Sequence, residues 1–281
     1  MTEEGPRNME LKERPYRSNL REIFLKGFNV MYIAEPLVSF DAEQPSAAVM
    51  TAMTACDFDL VGIRKNGRIA GYVRRDQMGG GPCGDSMREF RPAEVVLDTT
   101  PLLKVIPPLA RGETLFVSIL FSVGAVITPW DLQKPAVRMA VFGVVTLLEM
   151  GIARMIRNFF PEQTWMRRLS ENRLRKAELL LNERQRRNEP ADLLDCLQFG
   201  DKSDLVAKSR DMRELFGLDS KSQAEKVFSN LGVLRDNLAH GQYLQPRHLE
   251  TIANIADVLE KSLGSLDPFG DNLRFRLQPE R

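Results

Sequence analysis

The chain has 281 residues, 43% apolar and 27% charged, with a formal net charge of +1, enough for one large or two ordinary domains with real cores. That near-neutral balance excludes a global basic field, so any nucleic-acid contact must come from local clusters. Cys56, Cys83 and Cys196 are few and far apart, which excludes a disulfide framework or a Cys/His zinc site and fits a reducing, cytoplasmic setting.

The first residues, Met1-Thr-Glu-Glu-Gly-Pro-Arg-Asn8, are polar and acidic where a signal peptide would be basic and then apolar. The apolar run Leu115 to Ile127 is too short for a bilayer and is closed by Pro129, so no membrane span is expected. Residues 1–19 show no apolar period and are expected to form a mobile or extended arm. From Leu20 to Tyr32 the pattern Ile23, Phe24, Phe28, Met31 predicts a short helix or turn. Pro36 to Phe40 reads as extended, and the alanine-rich stretch from Ser46 to Met53 as helix. Phe58 to Ile63 and Ile69 to Val73 flank Asn66-Gly67 and predict a β-hairpin. The loop Met78-Gly-Gly-Gly-Pro-Cys-Gly-Asp85 lacks the Gly-Lys-Ser/Thr ending of a phosphate-binding loop and reads as a flexible connection.

A second series follows: Pro101 to Ile106 as helix, Thr114 to Ile119 and Gly124 to Thr128 as strands, then Pro129-Trp130-Asp131-Leu132. Helix, strand, strand, helix twice over is an internal duplication. It resembles a tandem pair of CBS domains, small α/β modules that dimerise and bind adenosine-containing ligands in their clefts. The resemblance implies that Thr128 helps hold phosphate and that Asp131 holds the ribose hydroxyls of AMP, ATP or a related adenosyl ligand. Thr128-Pro129-Trp130-Asp131 is also a good helix start, with a threonine N-cap, proline at the first position and an acid at the third. The first repeat departs from the pattern: Arg74 stands in the hydroxyl position, Gln77 in the ribose position, and Asp76 is one place early.

Pro135 opens a helix whose apolar positions, from Val137 to Ile156, are too dense for one stripe; it should be buried on several sides until Pro161 and act as a link. The arginine-rich run from Trp165 to Arg187 is ordinarily a solvated helix face. If the neighbouring domain cuts RNA, Arg184, Arg186 and Arg187 are the candidates for phosphate contacts. Asp192 to Leu197, Lys202 to Lys208, Asp211 to Phe216, Ser222 to His240 and Arg247 to Ser262 are expected as further helices.

On the helix before Gly241, Val227, Leu231, Leu234 and Leu238 make one apolar stripe, while Asp236 and His240 are four apart and share another face. The carboxylate can then hold the imidazole in one tautomer and favour its charged form. Arg235 is five positions from His240, about 140° round a regular helix, so one helix does not bring the two together. The sequence from Leu234 to Gly241, with the preceding Leu193-Leu-Asp-Cys-Leu-Gln-Phe-Gly-Asp201, resembles HEPN-superfamily domains, which include metal-independent endoribonucleases. The resemblance implies a homodimer with motif helices facing across a twofold axis. His240 would move a proton at the RNA 2′-hydroxyl or the leaving oxygen, Arg235 would stabilise the phosphorane and Asp236 would orient the pair, with no metal. The alternative is a catalytically inactive, nucleotide-responsive dimer that docks a protein or RNA.

The expected fold class is α+β. A mobile arm (1–19) precedes a tandem CBS-like module (20–134), then a linking helix and all-α HEPN-like domain (135–263), then an irregular tail (264–281). The expected function is an RNA-cleaving enzyme regulated by an adenine nucleotide.

Overall fold

The computed structural model describes residues 23–244. The arm at 1–19, His248, the helix expected at 247–262 and the tail from 264 lie outside the described residues. Within them the chain forms two compact units, a sheet unit built on 28–142 with 226–244, and a helical unit built on 23–27 with 143–225.

In the sheet unit the elements are β1 (Glu35–Pro36), β2 (Ser39–Asp41), α1 (Ser46–Ala55), β3 (Leu60–Lys65), β4 (Arg68–Arg74), β5 (Arg88–Glu89), β6 (Val95–Leu97), α2 (Leu102–Ala110), β7 (Leu115–Ile119) and β8 (Ser122–Ile127). They form two four-stranded sheets, ordered β2-β3-β4-β5 and β6-β7-β8-β1. In each, the first pair is parallel and the next two are antiparallel. The duplication extends to defects: β3/β4 is irregular between Ile63 and Arg64, β7/β8 between Val117 and Ser118. Ile63 pairs with Gly71 and Val117 with Ala125, so counting along the strands makes Arg74 the counterpart of Thr128 and Gln77 that of Asp131. Each repeat lends the strand before it to the other's sheet, so neither sheet is complete from its own repeat.

The strands read as nearly continuous apolar runs because the sheets are covered on both faces. Val49 and Met53 of α1 pack with Val61, Ile63, Val73 and Cys83 on one side. Leu37, Tyr72 and Phe116 form a second cluster with Phe90, Val95 and Val126, in which Tyr72 stacks on Phe90 at 5.8 Å and Phe116 packs tilted against both at 4.6 Å. Gly71 is required there, since a Cβ on it would stand 2.2 Å from the Arg88 carbonyl oxygen of β5.

The hairpin expected around Asn66-Gly67 is present, and both turn residues have the left-handed φ that such a turn demands. The glycine-rich loop differs from the expectation of a flexible connection. Ser46 N–H donates to Gly81 O (2.8 Å), Cys83 N–H to Gln44 O (2.8 Å) and Gly84 N–H to Ala42 O (2.9 Å), so this loop is tied along the start of α1. Strands β5 and β6 were not legible: at two and three residues they carry too little pattern to stand out.

Helix α3 (Pro135–Phe159) begins in the sheet unit and continues into the helical one. It is long and apolar enough to cross a membrane by length and composition, yet 67% of its most apolar stretch is buried inside the fold, as in the core helix of a globular domain. The short apolar run Leu115 to Ile127 is instead the β7–β8 hairpin.

The helical unit continues with a 3-10 segment (Pro161–Arg168), α4 (Glu171–Arg186), α5 (Phe199–Lys208), α6 (Arg210–Leu215) and the start of α7 (Lys221–Ala239). The helix expected from Asp192 to Leu197 is a turn. Asp195 accepts from the Asp192 N–H (3.1 Å) and Asp192 from the Asp195 N–H (2.9 Å), a reciprocal pair that closes the turn locally. Arg157 bridges both carboxylates at 2.8 and 2.7 Å. Lys202, 6% exposed, reaches Glu149 at 3.2 Å, and Arg173 ties Asp201 and Asp204 of α5 to α4.

Candidate functional site

The β-strand ends of the two repeats meet at a cleft of about 650 Å³ in the sheet unit. Its walls are apolar (Leu37, Val38, Phe58, Leu60, Val126, Pro129, Trp130), and polar groups enter from Thr128, Thr114, Arg74, Glu35, Asp57 and Asp59. Trp130 is 73% exposed on the second residue of the 3-10 turn Pro129–Gln133, a flat apolar face set out at the edge of the cavity. A cavity of this size, apolar with a few converging polar groups, has the character of a small-molecule site.

Thr128 lines the cleft as the sequence pattern expects, whereas Asp131 is not among the lining residues. Its carboxylate, 6% exposed, is engaged on both oxygens. One accepts from the Thr128 N–H (2.7 Å) and hydroxyl (3.1 Å), the other pairs with Lys134 Nζ at 2.9 Å. This is a reciprocal capping box closing the 3-10 turn. Lys134 also donates to the Ile33 carbonyl (2.6 Å) and pairs with Glu35, which lies on the cleft. Burial works against the charged lysine, but Glu35 and Asp131 outweigh it and raise its pKa above the ordinary lysine value. Asp131 thus holds Thr128 and Trp130 in place from behind.

The sequence pattern marked Arg74 only as a departure and passed over Thr114. Because Arg74 is the counterpart of Thr128, it projects from the end of β4 into the same cleft, and its Nη2 donates to Thr114 Oγ1 at 3.2 Å. Only the pseudosymmetric packing of the two hairpins brings these positions together.

The Arg235/Asp236/His240 corner lies at the end of α7. Asp236 pairs with its neighbour Arg235 at 3.2 Å, and among the described residues no hydrogen bond joins the Asp236 carboxylate to the His240 ring. His240 is exposed one residue beyond the helix, and Gly241, at φ +64°, ends the helix as its position predicts. The following residues are clasped by the cleft's own turn. Gln133 donates to the Leu244 carbonyl (2.9 Å) and accepts from the Leu244 N–H (3.0 Å), while Arg138 donates to the Gln242 carbonyl.

Arg184, Arg186 and Arg187 are exposed to different degrees, and each lies within 4 Å of an acid, Glu189 or Glu183. Such surface pairs are worth about 0–1 kcal/mol, little enough for a phosphate to displace them. Among the described residues there is no cluster of three or more His, Cys, Asp or Glu side chains placed to hold a metal ion.

No family model matches the chain, and no curated protein matches it. Similar solved structures include an uncharacterised conserved protein from Pyrococcus horikoshii (13% identity, 38% of this chain and 90% of that one, TM-score 0.34). Another is the CBS domain of a bacterial CNNM/CorC family Mg2+ transporter in complex with ATP (13% identity, 41% and 91%, TM-score 0.33). A third is a conserved CBS domain protein of unknown function from Thermoplasma acidophilum (14% identity, 41% and 75%, TM-score 0.33).

Proposed function

We propose that the sheet unit is a regulatory module that binds an adenosine-containing nucleotide in the cleft between its two repeats. The observation that carries this reading is the cavity itself: about 650 Å³ with apolar walls, the Trp130 face at its edge, and Thr128, Thr114 and Arg74 converging as polar contacts. Binding would be felt along the 3-10 turn that carries Thr128 and Trp130, because its last residue, Gln133, holds Leu244 by two hydrogen bonds. Thermal shift of the whole chain with adenosine, AMP and ATP tests it, alongside Trp130→Ala. Stabilisation by at least one ligand, reduced in the variant, is expected; an unchanged melting temperature across the panel rules the reading out.

A second reading adds catalysis at the end of α7, as a homodimeric, metal-independent endoribonuclease in which Arg235 and His240 act on the scissile phosphate and Asp236, paired with Arg235 at 3.2 Å, is the orienting group on the arginine side. It is favoured by an exposed imidazole five residues after Arg235, on a segment clasped to the turn of the ligand cleft. The chemistry requires RNA, since the 2′-hydroxyl is the nucleophile. Incubation with RNA in EDTA should yield 2′,3′-cyclic phosphate ends with the wild type and none with His240→Ala or Arg235→Ala. Cleavage persisting in both variants would remove this corner from the mechanism, and cleavage of no RNA would leave a binding module.

A further inference from the structure

Two features of the cleft bear on which nucleotide it takes. The first is the guanidinium of Arg74, delivered by the first repeat at the place where the second repeat has Thr128. It spends one N–H on Thr114 Oγ1 (3.2 Å). A guanidinium has five N–H donors, and because Thr114 accepts this bond its own hydroxyl proton stays available. The pair is therefore a set of donors with a positive charge behind it, which is the chemistry that recognises a phosphate.

The second feature is what surrounds that cation. Glu35, Asp57 and Asp59 also line the cleft. Lys134 is shared between Glu35 and Asp131, and Arg75 between Asp57 (3.4 Å) and Asp59 (2.9 Å), so each cation serves two carboxylates and net negative charge remains, while neither Lys134 nor Arg75 is among the lining residues. Arg74 is accordingly the lining residue that offers positive charge, and three carboxylates border the remaining space. One phosphate finds a partner there; a second or third would be pressed towards carboxylates, where like charges repel.

We propose that Arg74, positioned by Thr114, is the phosphate-recognising residue of the cleft, and that the carboxylate border makes the site selective for a nucleoside monophosphate over the di- and triphosphate. This rests on the nucleotide reading above and assigns the phosphate role to the residue by which the first repeat departs from its pattern.

Calorimetric titration of the full chain with adenosine, AMP, ADP and ATP, without divalent cations, tests it in the wild type, Arg74→Ala and Arg74→Lys. The wild type should bind AMP roughly tenfold or more tighter than adenosine, the size expected of a hydrogen-bonded charged pair, and bind ATP no tighter than AMP. Arg74→Ala should lose the preference for AMP over adenosine, and Arg74→Lys should keep part of it. The apo melting temperature of each variant checks that it is folded. If folded Arg74→Ala keeps the full preference, or if wild type takes ATP more tightly than AMP, the inference fails while the nucleotide reading stands. If neither adenosine nor any nucleotide binds the wild type, the nucleotide reading fails and Arg74's role falls with it.

Discussion

Asp131 illustrates how a residue's role depends on which groups its oxygens already serve. By spacing from Thr128 it stands where a ribose acceptor is expected, but in the fold its two oxygens take the Thr128 N–H, the Thr128 hydroxyl and the Lys134 ammonium. Asp131→Ala should therefore destabilise the ligand-free protein by roughly 1–2 kcal/mol, as the loss of a cap does, and a lower melting temperature without ligand is the measurement that shows it. An unaffected apo melting temperature, with ligand binding abolished, would return Asp131 to a direct binding role. The threonine, proline and acid pattern was readable in the sequence as a capping box. That both of Asp131's oxygens are occupied was not, since Lys134 is held there by Glu35 and the Ile33 carbonyl from far along the chain. The thiols give a second check at this scale: Cys56 is exposed, while Cys83 and Cys196 are 0% and 5% exposed and burial raises their pKa values. One thiol should react with a disulfide reagent in the native state and three after unfolding, and faster labelling of Cys83 would contradict the packing of α1.

Among the elements, the two hairpins make a controlled comparison. The first turns through Asn66-Gly67, residues that adopt left-handed φ at little cost. The second turns through Leu120 and Phe121, both at positive φ (48° and 65°) and 88% and 103% exposed. Branched and aromatic side chains gain no contact there and carry a left-handed penalty of roughly 1–2 kcal/mol each. Replacing the pair, Leu120→Asn with Phe121→Gly, should stabilise the protein by about 1–3 kcal/mol, read from the denaturation midpoint at constant slope; no gain would mean that the turn has another conformation. At the other extreme, Gly71→Ala should break the β4–β5 pairing, because the added carbon has no room beside the Arg88 carbonyl. The strands themselves were legible from their apolar runs and, in the first hairpin, from Asn-Gly. The second turn carries no such signal, and its register follows from pairing alone.

On the scale of the whole molecule, charge couples the helical unit to pH. Burial works against ionisation of Asp195, but the Arg157 guanidinium and the Asp192 N–H outweigh it and hold its carboxyl below the ordinary aspartate pKa. A folded-state pKa below the unfolded value means stability that is present above the unfolded pKa and is lost as pH falls through the folded one. Acid should therefore loosen this unit as pH drops below the usual aspartate range, and Asp195→Asn should be less stable than wild type at neutral pH while showing a flatter acid limb. An acid limb as steep as that of wild type would place the sensitivity elsewhere.

Composition, the duplicated strand-helix series, the first hairpin's turn and the helix ending at Gly241 were all determined by local sequence, because each depends on contacts within a few residues or on a period the chain carries openly. The tertiary structure alone decided that the two repeats exchange strands, that Arg74 of one repeat and Thr114 of the other meet in a single cleft, that Asp131 faces inward to Thr128 and Lys134, and that Gln133 clasps the chain just beyond His240. Those outcomes depend on which of several chemically similar groups the fold brings within about 3 Å of one another, and no spacing along the sequence carries that information.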